Sequence, residues 1–323
     1  LASEIGEQGA KGFINAVLRA FIRRNKKVAM PEDADRRMSV YYSHPLWLVR
    51  YWIALLGEEK TERLLESNNA KPPLTLRIND AVISVEEYLN LLDKKGIEAT
   101  KTELSKVGVR IISAKGMKIQ EFPGYDKGYF VVQDESSQLA IETKPPRPQD
   151  VCIDVCCSPG GKTMHMAQHA ATVHGFDISK QRLGVTMKNV LRLGLQKKVK
   201  LDLVDATKGV REFNDTADYV LVDAPCSALG TIRRNPDIKY NRLKTDIAKN
   251  AKTQKIILKR AAQYVKSGGT LIYSTCTVTR EENEEQVAKF LGKHEDFVLV
   301  CERQLLPFVD GTDGFYFAVM ERK

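Results

Sequence analysis

Two cysteines stand where a hydrophobic segment gives way to a polar loop. Cys276 follows the segment LIYST, and Cys226 ends the segment YVLVDAPC, three residues after Asp223. A cysteine thiolate is a nucleophile and a metal ligand, whereas a buried thiol more often only fills space. No CxxC pair or disulfide framework is formed by the remaining cysteines, Cys152, Cys156, Cys157 and Cys301. We therefore expect reduced thiols in a cytoplasmic protein, with Cys152 and Cys301 as packing residues.

From about residue 129 onwards, five hydrophobic segments alternate with helical patterns. The segments are VCIDVCC, TVHGFDIS, VKLDLVD, DYVLVDAP and GGTLIYSTC. This alternation predicts an α/β fold in which helices cover both faces of a parallel sheet. Ligands of such sheets bind beyond the carboxyl ends of the strands, where the strand order reverses. Both cysteines lie at such ends, which favours a chemical role for them over coincidence.

The first three of these strands end in residues that suit a nucleotide cofactor. The first strand leads into the turn CCSPGGK, whose glycines allow close backbone approach and precede a helix with free N–H groups. The second ends in Asp177, which suits ribose hydroxyls, and the third in Asp205, which suits an adenine amino group. The turn matches neither GxGxxG nor the Walker spacing. We interpret this layout as an S-adenosylmethionine pocket formed by Cys156, Cys157, Ser158, Pro159, Gly160, Gly161, Lys162, Asp177, Arg182, Asp205 and Asp223.

Two further regions precede this predicted sheet. Residues 1–70 carry helical patterns and are interpreted as the end of a helical domain with linker helices. Residues 71–128 have strand, helix, strand and strand patterns, which predict a small α/β module that is either an RNA-reading scaffold or a structural spacer. The large sheet domain is expected to cover residues 129–323. Because the chain begins with Leu rather than Met, we expect a truncated or disordered start.

The charge balance indicates the class of partner. Lysine and arginine exceed aspartate and glutamate by 50 − 41 = 9 residues. A surplus of this size favours a polyanion, most often nucleic acid, although an ordinary enzyme with solvated lysines is the alternative. Charged residues interrupt the longest apolar stretches well before the roughly 20 residues that span a bilayer. We therefore expect no membrane association.

Basic residues and histidines near the predicted site have competing interpretations. The run TIRRNPDIKY follows the PCS segment, and we interpret Arg233, Arg234 and Lys239 as phosphate contacts rather than as a solvated charge run. His165 and His169 have the helical spacing of a zinc pair, but the glutamate of HExxH and a third ligand are missing. We therefore expect surface histidines and no metal site.

Six segments resemble the motifs of the Sun (Fmu) type of RNA 5-methylcytosine methyltransferases. They are CCSPGGKT, DISKQRL, NVLRLGL, VDAPCSALGTIRRNPDIKY, YSTCTVTREENEEQV and DGFYFAVMERK, and VVQDESSQLA resembles that family's lead-in. KGFINAVLR resembles the end of the NusB-like domain of the bacterial 16S rRNA enzyme of this group. Cys156, Cys157 and Ser158 depart from a commonly alanine-rich stretch but are also small. The resemblance implies a Rossmann-like S-adenosylmethionine methyltransferase sheet with a small RNA-binding module and an N-terminal helical fragment.

Methylation at carbon 5 of cytosine requires a cysteine. Carbon 5 is a poor nucleophile until a thiolate adds to carbon 6 and converts the ring into an enamine. The resemblance implies that Cys276 of TCT is this nucleophile and that Cys226 of PCS assists product release. Lys162 is placed to favour the thiolate by its charge. Asp223 is placed to contact either the cytosine edge or the methionine moiety of the cofactor.

The sequence thus predicts an enzyme that methylates cytosine in RNA. The expected partner is 16S rRNA or a small-subunit assembly intermediate, and a tRNA or another rRNA position is the alternative substrate. A different alternative is a non-catalytic RNA-binding assembly factor, against which the intact Cys276, Cys226 and Lys162 argue. The oligomeric state is left open, with a monomer favoured.

Overall fold

The computed structural model describes residues 4, 6, 8–24, 26 and 29–323. The expectation about the start of the chain concerns Leu1, which lies outside the described residues. Helices occupy Lys11–Arg23 (α1), Ala34–Tyr41 (α2), Leu46–Leu56 (α3), Glu58–Asn69 (α4), Val85–Lys94 (α5), Glu135–Glu142 (α6), Gly161–His169 (α7), Lys180–Arg192 (α8), Ile238–Asn241 (α9), Lys244–Ala262 (α10), Glu284–Leu291 (α11) and Pro307–Asp310 (α12). Strands occupy Leu74–Ile78 (β1), Glu98–Lys101 (β2), Gly108–Ser113 (β3), Phe130–Val132 (β4), Val151–Asp154 (β5), Thr172–Asp177 (β6), Val199–Leu203 (β7), Ala217–Asp223 (β8), Val265–Thr275 (β9), Phe297–Leu305 (β10) and Phe315–Arg322 (β11). Within these described residues, no helix combines the length and the apolar character needed to cross a bilayer.

Helices α3 and α4 pack against the loops that follow two strands of the large sheet. They are separated by Gly57, whose φ of 83° lies in the left-handed region that favours glycine. Trp52 of α3 is fully buried, and its Nε1 donates a hydrogen bond to the carbonyl of Val278 at 3.2 Å. Leu48 and Leu229 belong to the same apolar cluster. The N-terminal helices therefore support the loops after β8 and β9.

The first four strands form a small antiparallel sheet of order β2-β3-β1-β4. Its helix α5 begins at a capping box, in which Ser84 and Glu87 each accept a hydrogen bond from the other's backbone N–H. Tyr88 of this helix lies in one apolar cluster with Leu76 and Phe130 of the sheet. The fourth strand lies beyond the range 71–128 that the sequence pattern indicated. The domain limits themselves stay a prediction.

The other seven strands form a large sheet of order β10-β11-β9-β8-β5-β6-β7. Strands β9, β8, β5, β6 and β7 are parallel, whereas β11 and β10 are antiparallel to their neighbours. The chain runs outward from β5 to β7 and then returns to β8 on the other side of β5. The strand order therefore reverses between β5 and β8, where ligands of such sheets bind. The predicted α/β fold class is confirmed.

Alternating side chains of the central strands enter two separate apolar cores. Val220 and Val222 of β8 join the core that includes residues of α10, and Tyr219 and Leu221 join the core that includes residues of α7. Burying one such side chain is worth roughly 1.5–3 kcal/mol, and a slip of one residue would exchange the two faces. The two cores therefore fix the register of the central strands, and with it the position of the residues that follow each strand.

Arg77 joins the small sheet to helix α7. Its guanidinium is fully buried and donates to Gln133 Oε1 at 2.6 Å, to the carbonyl of Gly161 at 3.2 Å and to Gln168. Burial lowers the pKa of Arg77 to about 9. The small sheet is thereby bonded to the first residue of the helix that follows the glycine turn.

Candidate active site

The glycine turn lies between β5 and α7. Cys157 N donates to the carbonyl of Phe176 at 2.8 Å, which ties the turn to β6. Gly160 has a φ of 104°, a conformation that side chains rarely adopt. A Cβ at Gly160 would lie 2.8 Å from Cγ2 of Thr186 in α8. A glycine is therefore required here for both its backbone conformation and the close packing of α8.

A cavity of about 340 Å³ opens at the carboxyl ends of the parallel strands. Its lining includes the predicted site residues Cys156, Ser158, Asp177, Arg182, Asp205, Asp223, Cys226 and Cys276. An adjoining cavity of about 290 Å³ is lined by the other predicted turn residues, Cys157, Pro159, Gly160, Gly161 and Lys162. Cys156, Ser158 and Asp223 line both cavities, so the turn and the end of β8 form the boundary between them.

Two aspartates at the ends of β6 and β7 are held by local hydrogen bonds. Oδ1 of Asp177 accepts from Ser179 N at 2.8 Å and pairs with the guanidinium of Arg182 at 2.9 Å. Oδ1 of Asp205 accepts from the Thr207 hydroxyl at 2.6 Å, and hydrogen bonds from Thr207 lower the pKa of Asp205. Both side chains are thereby oriented as hydrogen-bond acceptors at the wall of the larger cavity.

Asp223 is held between two donors at the end of β8. Its Oδ2 pairs with Lys162 Nζ at 2.8 Å, and its Oδ1 accepts from the Ser274 hydroxyl at 2.8 Å. Lys162 Nζ also lies 4.9 Å from the centroid of the Phe315 ring. The Lys162 side chain is only 10% exposed, so solvent screens its ion pair with Asp223 only weakly at the boundary between the cavities.

The two strand-end cysteines meet at the wall of the larger cavity. Their Sγ atoms lie 3.3 Å apart, although 50 residues separate them in the chain. The hydrogen bond with Cys276, together with burial, raises the pKa of Cys226 well above its usual value. Cys226 therefore keeps its proton at neutral pH, and either sulfur can donate the hydrogen bond that joins them. Both sulfurs are thereby placed to reach one ligand in this cavity.

Family models match two long segments of the chain. Residues 142–321 match the 16S rRNA methyltransferase RsmB/F family. The chain belongs to the RsmB/F family. Residues 44–118 match the ferredoxin-like domain of RsmF/B-like methyltransferases, a range that contains the first three strands of the small sheet.

Related proteins agree with this membership. Ribosomal RNA small subunit methyltransferase B of Proteus mirabilis is 39% identical over 97% of this chain and 73% of its own length. The probable ribosomal RNA small subunit methyltransferase B of Bacillus subtilis is 35% identical over 98% of this chain and 75% of its own. The crystal structure of a methyltransferase homologue from Pyrococcus horikoshii is 26% identical, with a TM-score of 0.80, and covers 91% of this chain and 100% of that one. The family resemblance of the motifs is confirmed.

Sequence reasoning missed two polar residues of this RsmB/F site. Asp154 is almost fully buried and accepts from the Thr163 hydroxyl at 2.7 Å, and burial raises its pKa to about 7. Ser274 holds Asp223, as described above. Asp154 stands at a strand end before the glycine turn, the same signal that identified Asp177. Ser274 lies within an apolar strand and carries no comparable signal.

The structure shows Arg233 and Arg234, the predicted phosphate contacts, in ion pairs with two aspartates. Arg233 Nε lies 2.7 Å from Asp313 Oδ1, and the Arg233 side chain is only 6% exposed. Arg234 pairs with Asp134 Oδ2 at 2.6 Å and with Asp313 Oδ2 at 2.5 Å. Both guanidinium groups thus pair with carboxylates and bind the loop after β8 to the segments before α6 and β11. Arg234 is 28% exposed and lines the adjoining cavity, and the role of both arginines as phosphate contacts stays a prediction.

Lys239 and His165 are both buried. Lys239 is buried and donates to Asn69 Oδ1 at 3.2 Å, which links α9 to α4, and its role as a phosphate contact stays a prediction. His165 is only 2% exposed, and burial lowers its pKa well below the usual value, so it is not a surface histidine. Its ring centroid lies 5.9 Å from that of His169. Among the residues that the structure describes, no group of three or more His, Cys, Asp or Glu side chains suits a metal ion.

Proposed function

We propose that this protein transfers a methyl group from S-adenosylmethionine to carbon 5 of a cytosine in 16S rRNA, through a covalent adduct with Cys276. The observation that carries the proposal is the 3.3 Å separation of the Cys226 and Cys276 sulfurs at the wall of the strand-end cavity. A thiol pair that only filled space would not need to line a cavity together with acidic residues from three strand ends. Membership in the RsmB/F family supports the same activity.

The residues present fit S-adenosylmethionine. Asp177 would accept from the ribose hydroxyls and Asp205 from the adenine amino group, and apolar side chains such as Ile178 and Ile257 line the same cavity. The glycine turn would hold the methionine moiety, because Gly160 and Gly161 line the adjoining cavity at the N-terminus of α7. When bound, this cofactor supplies an electrophilic methyl group.

The side chains of the site suit addition and elimination at cytosine. The Cys276 thiolate adds to carbon 6, and the displaced electron pair makes carbon 5 nucleophilic. After carbon 5 has been methylated, a base takes the carbon 5 proton, the C5–C6 double bond forms again, and the C6–S bond breaks to release the Cys276 thiolate. Cys226 lies next to the departing sulfur and assists this release. Asp223, held by Lys162 and Ser274, orients either the cytosine edge or the cofactor's amino group.

The substrate is proposed to be RNA of the small ribosomal subunit. Two relatives above are named ribosomal RNA small subunit methyltransferase B, and the net charge of +9 favours a polyanion. The target base would be turned out of its stack to reach the cavity. A tRNA or other rRNA site is the alternative, and a non-catalytic assembly factor is the rival of a different class.

Methyl transfer from labelled S-adenosylmethionine tests the proposal directly. Purified protein is incubated with 16S rRNA, 23S rRNA and tRNA from a strain lacking the enzyme, and 5-methylcytosine is mapped in each. We expect label in 16S rRNA alone. Label in another RNA would change the substrate, and label in none would favour the non-catalytic rival.

A further inference from the structure

We propose that Glu282 is a positioning residue for the two cysteines, because its carboxylate ties together the loops that carry them. This inference deepens the proposed function and rests on it. Glu282 lies six residues after Cys276 in the acidic segment TREENEEQV. The sequence of this segment predicts only the start of a helix. In the structure, Glu282 is fully buried, in a short 3-10 turn that precedes α11.

Four donors surround the Glu282 carboxylate. Oε1 accepts from Ser227 N at 2.8 Å and from Gln254 Nε2 at 3.0 Å. Oε2 accepts from the hydroxyls of Ser227 at 2.5 Å and Thr279 at 2.8 Å. A buried carboxylate is costly unless hydrogen bonds satisfy it, and these four bonds do so. The carboxylate therefore fixes the geometry of its donors.

These donors lie next to the two site cysteines. Ser227 follows one cysteine and Thr277 follows the other, and their hydroxyl oxygens are 2.7 Å apart. Gln254 Nε2, which donates to Glu282, also donates to the carbonyl of Pro225 at 3.0 Å. The backbone on both sides of Cys226 is thus bonded to the Glu282 network, which continues through Ser227 to the residue after Cys276.

Glu282 also acts on the cysteines through its charge. Its carboxylate contributes, after the Cys276 hydrogen bond and burial, to the raised pKa of Cys226. Replacing Glu282 by glutamine keeps the shape, removes the charge and replaces an acceptor oxygen by a donor. We expect Cys226 to ionise at lower pH in this variant. A residue that only stabilised the fold would not shift this ionisation.

The test compares Glu282→Gln with the matched control Glu285→Gln. Glu285 lies in the same segment, and its carboxylate pairs with Lys289 at the surface, at 2.7 Å. For Glu282→Gln we expect kcat to fall about 100-fold, as for a misplaced reacting group, while KM for RNA and cofactor affinity stay within about twofold. The pH profile of Cys226 alkylation by iodoacetamide, read by peptide mass spectrometry, should move to lower pH. Glu285→Gln should leave all of these unchanged.

Three outcomes would change the conclusion. A folded Glu282→Gln protein with wild-type kcat and an unshifted Cys226 profile would overturn the inference. If that variant does not fold, Ser227→Ala removes one side-chain bond of the network, and wild-type kcat in that variant would overturn it too. If the wild-type protein methylates no cytosine, the proposed function fails. The alkylation profile still decides whether Glu282 controls the ionisation of Cys226.

Discussion

Replacing Asp177 by alanine removes the carboxylate that β6 presents to the larger cavity. One oxygen, Oδ1, is taken by Ser179 N at 2.8 Å and by Arg182 at 2.9 Å. The other oxygen, Oδ2, has no hydrogen-bond partner among the described residues, although the carboxylate lines the cavity. Oδ2 is therefore the atom expected to accept from the ribose hydroxyls.

The expected loss of affinity follows from one charged hydrogen bond. Such a bond contributes about 1.5–3 kcal/mol, which corresponds to a rise in the cofactor's dissociation constant of about 10- to 150-fold. The arginine that loses its partner adds little to this loss, because the Arg182 side chain is already 58% exposed. The effect should therefore appear mainly in cofactor binding.

Isothermal titration calorimetry with S-adenosylmethionine measures this loss. The control is Asp202→Ala, because Asp202 is an exposed aspartate on the neighbouring strand β7. The unfolding temperature of each variant confirms that it is folded. An Asp177→Ala protein that is folded and binds the cofactor as tightly as the wild type would refute the ribose role.

Three other substitutions give separable outcomes. Cys276→Ala should abolish methyl transfer but retain cofactor binding by calorimetry; measurable turnover would exclude Cys276 as the nucleophile. Burial raises the pKa of Asp154 from 3.8 to about 7, so its contribution to stability is present at low pH and is lost as the pH rises through 7. Asp154→Asn should therefore flatten the fall in unfolding free energy between about pH 4 and 7 in urea titrations, and an unchanged slope would contradict this. Arg233→Ala removes one of the two cations that pair with Asp134 and Asp313, and should reduce the free energy of unfolding by about 3 kcal/mol. Unchanged stability together with weakened RNA binding would instead support a phosphate contact by Arg233.

The residues at strand ends were predictable from the sequence. In a parallel sheet all carboxyl ends lie at one edge, so a residue that directly follows a strand pattern is placed by that pattern alone. Asp177, Asp205 and the two cysteines therefore reach one cavity as expected. The glycine turn was also predictable. It directly follows a strand pattern, and the positive φ of Gly160 suits only a glycine.

The polar pairs that support these residues were not predictable. Arg234 and Asp134 are 100 residues apart, and Glu282 and Ser227 are 55 residues apart. Their pairing depends on how the loops cross the sheet edge, which no local pattern encodes. A basic run looks the same in sequence whether its charges face solvent or a buried carboxylate. The prediction that His165 lies at the surface was wrong for a related reason. Arg77 of the small sheet bonds to Gly161 and Gln168 of α7, a contact that no local pattern encodes.

The adduct formed by Cys226→Ala tests most directly whether both sulfurs act on one base. The variant is incubated with 16S rRNA and S-adenosylmethionine, resolved by denaturing electrophoresis, and the cross-linked peptide is identified by mass spectrometry. We predict a denaturation-resistant protein–RNA complex in which a methylated cytosine is linked to Cys276, and no complex when Cys276 is also replaced by alanine. Normal turnover without any complex, or a link to a different residue, would contradict the account.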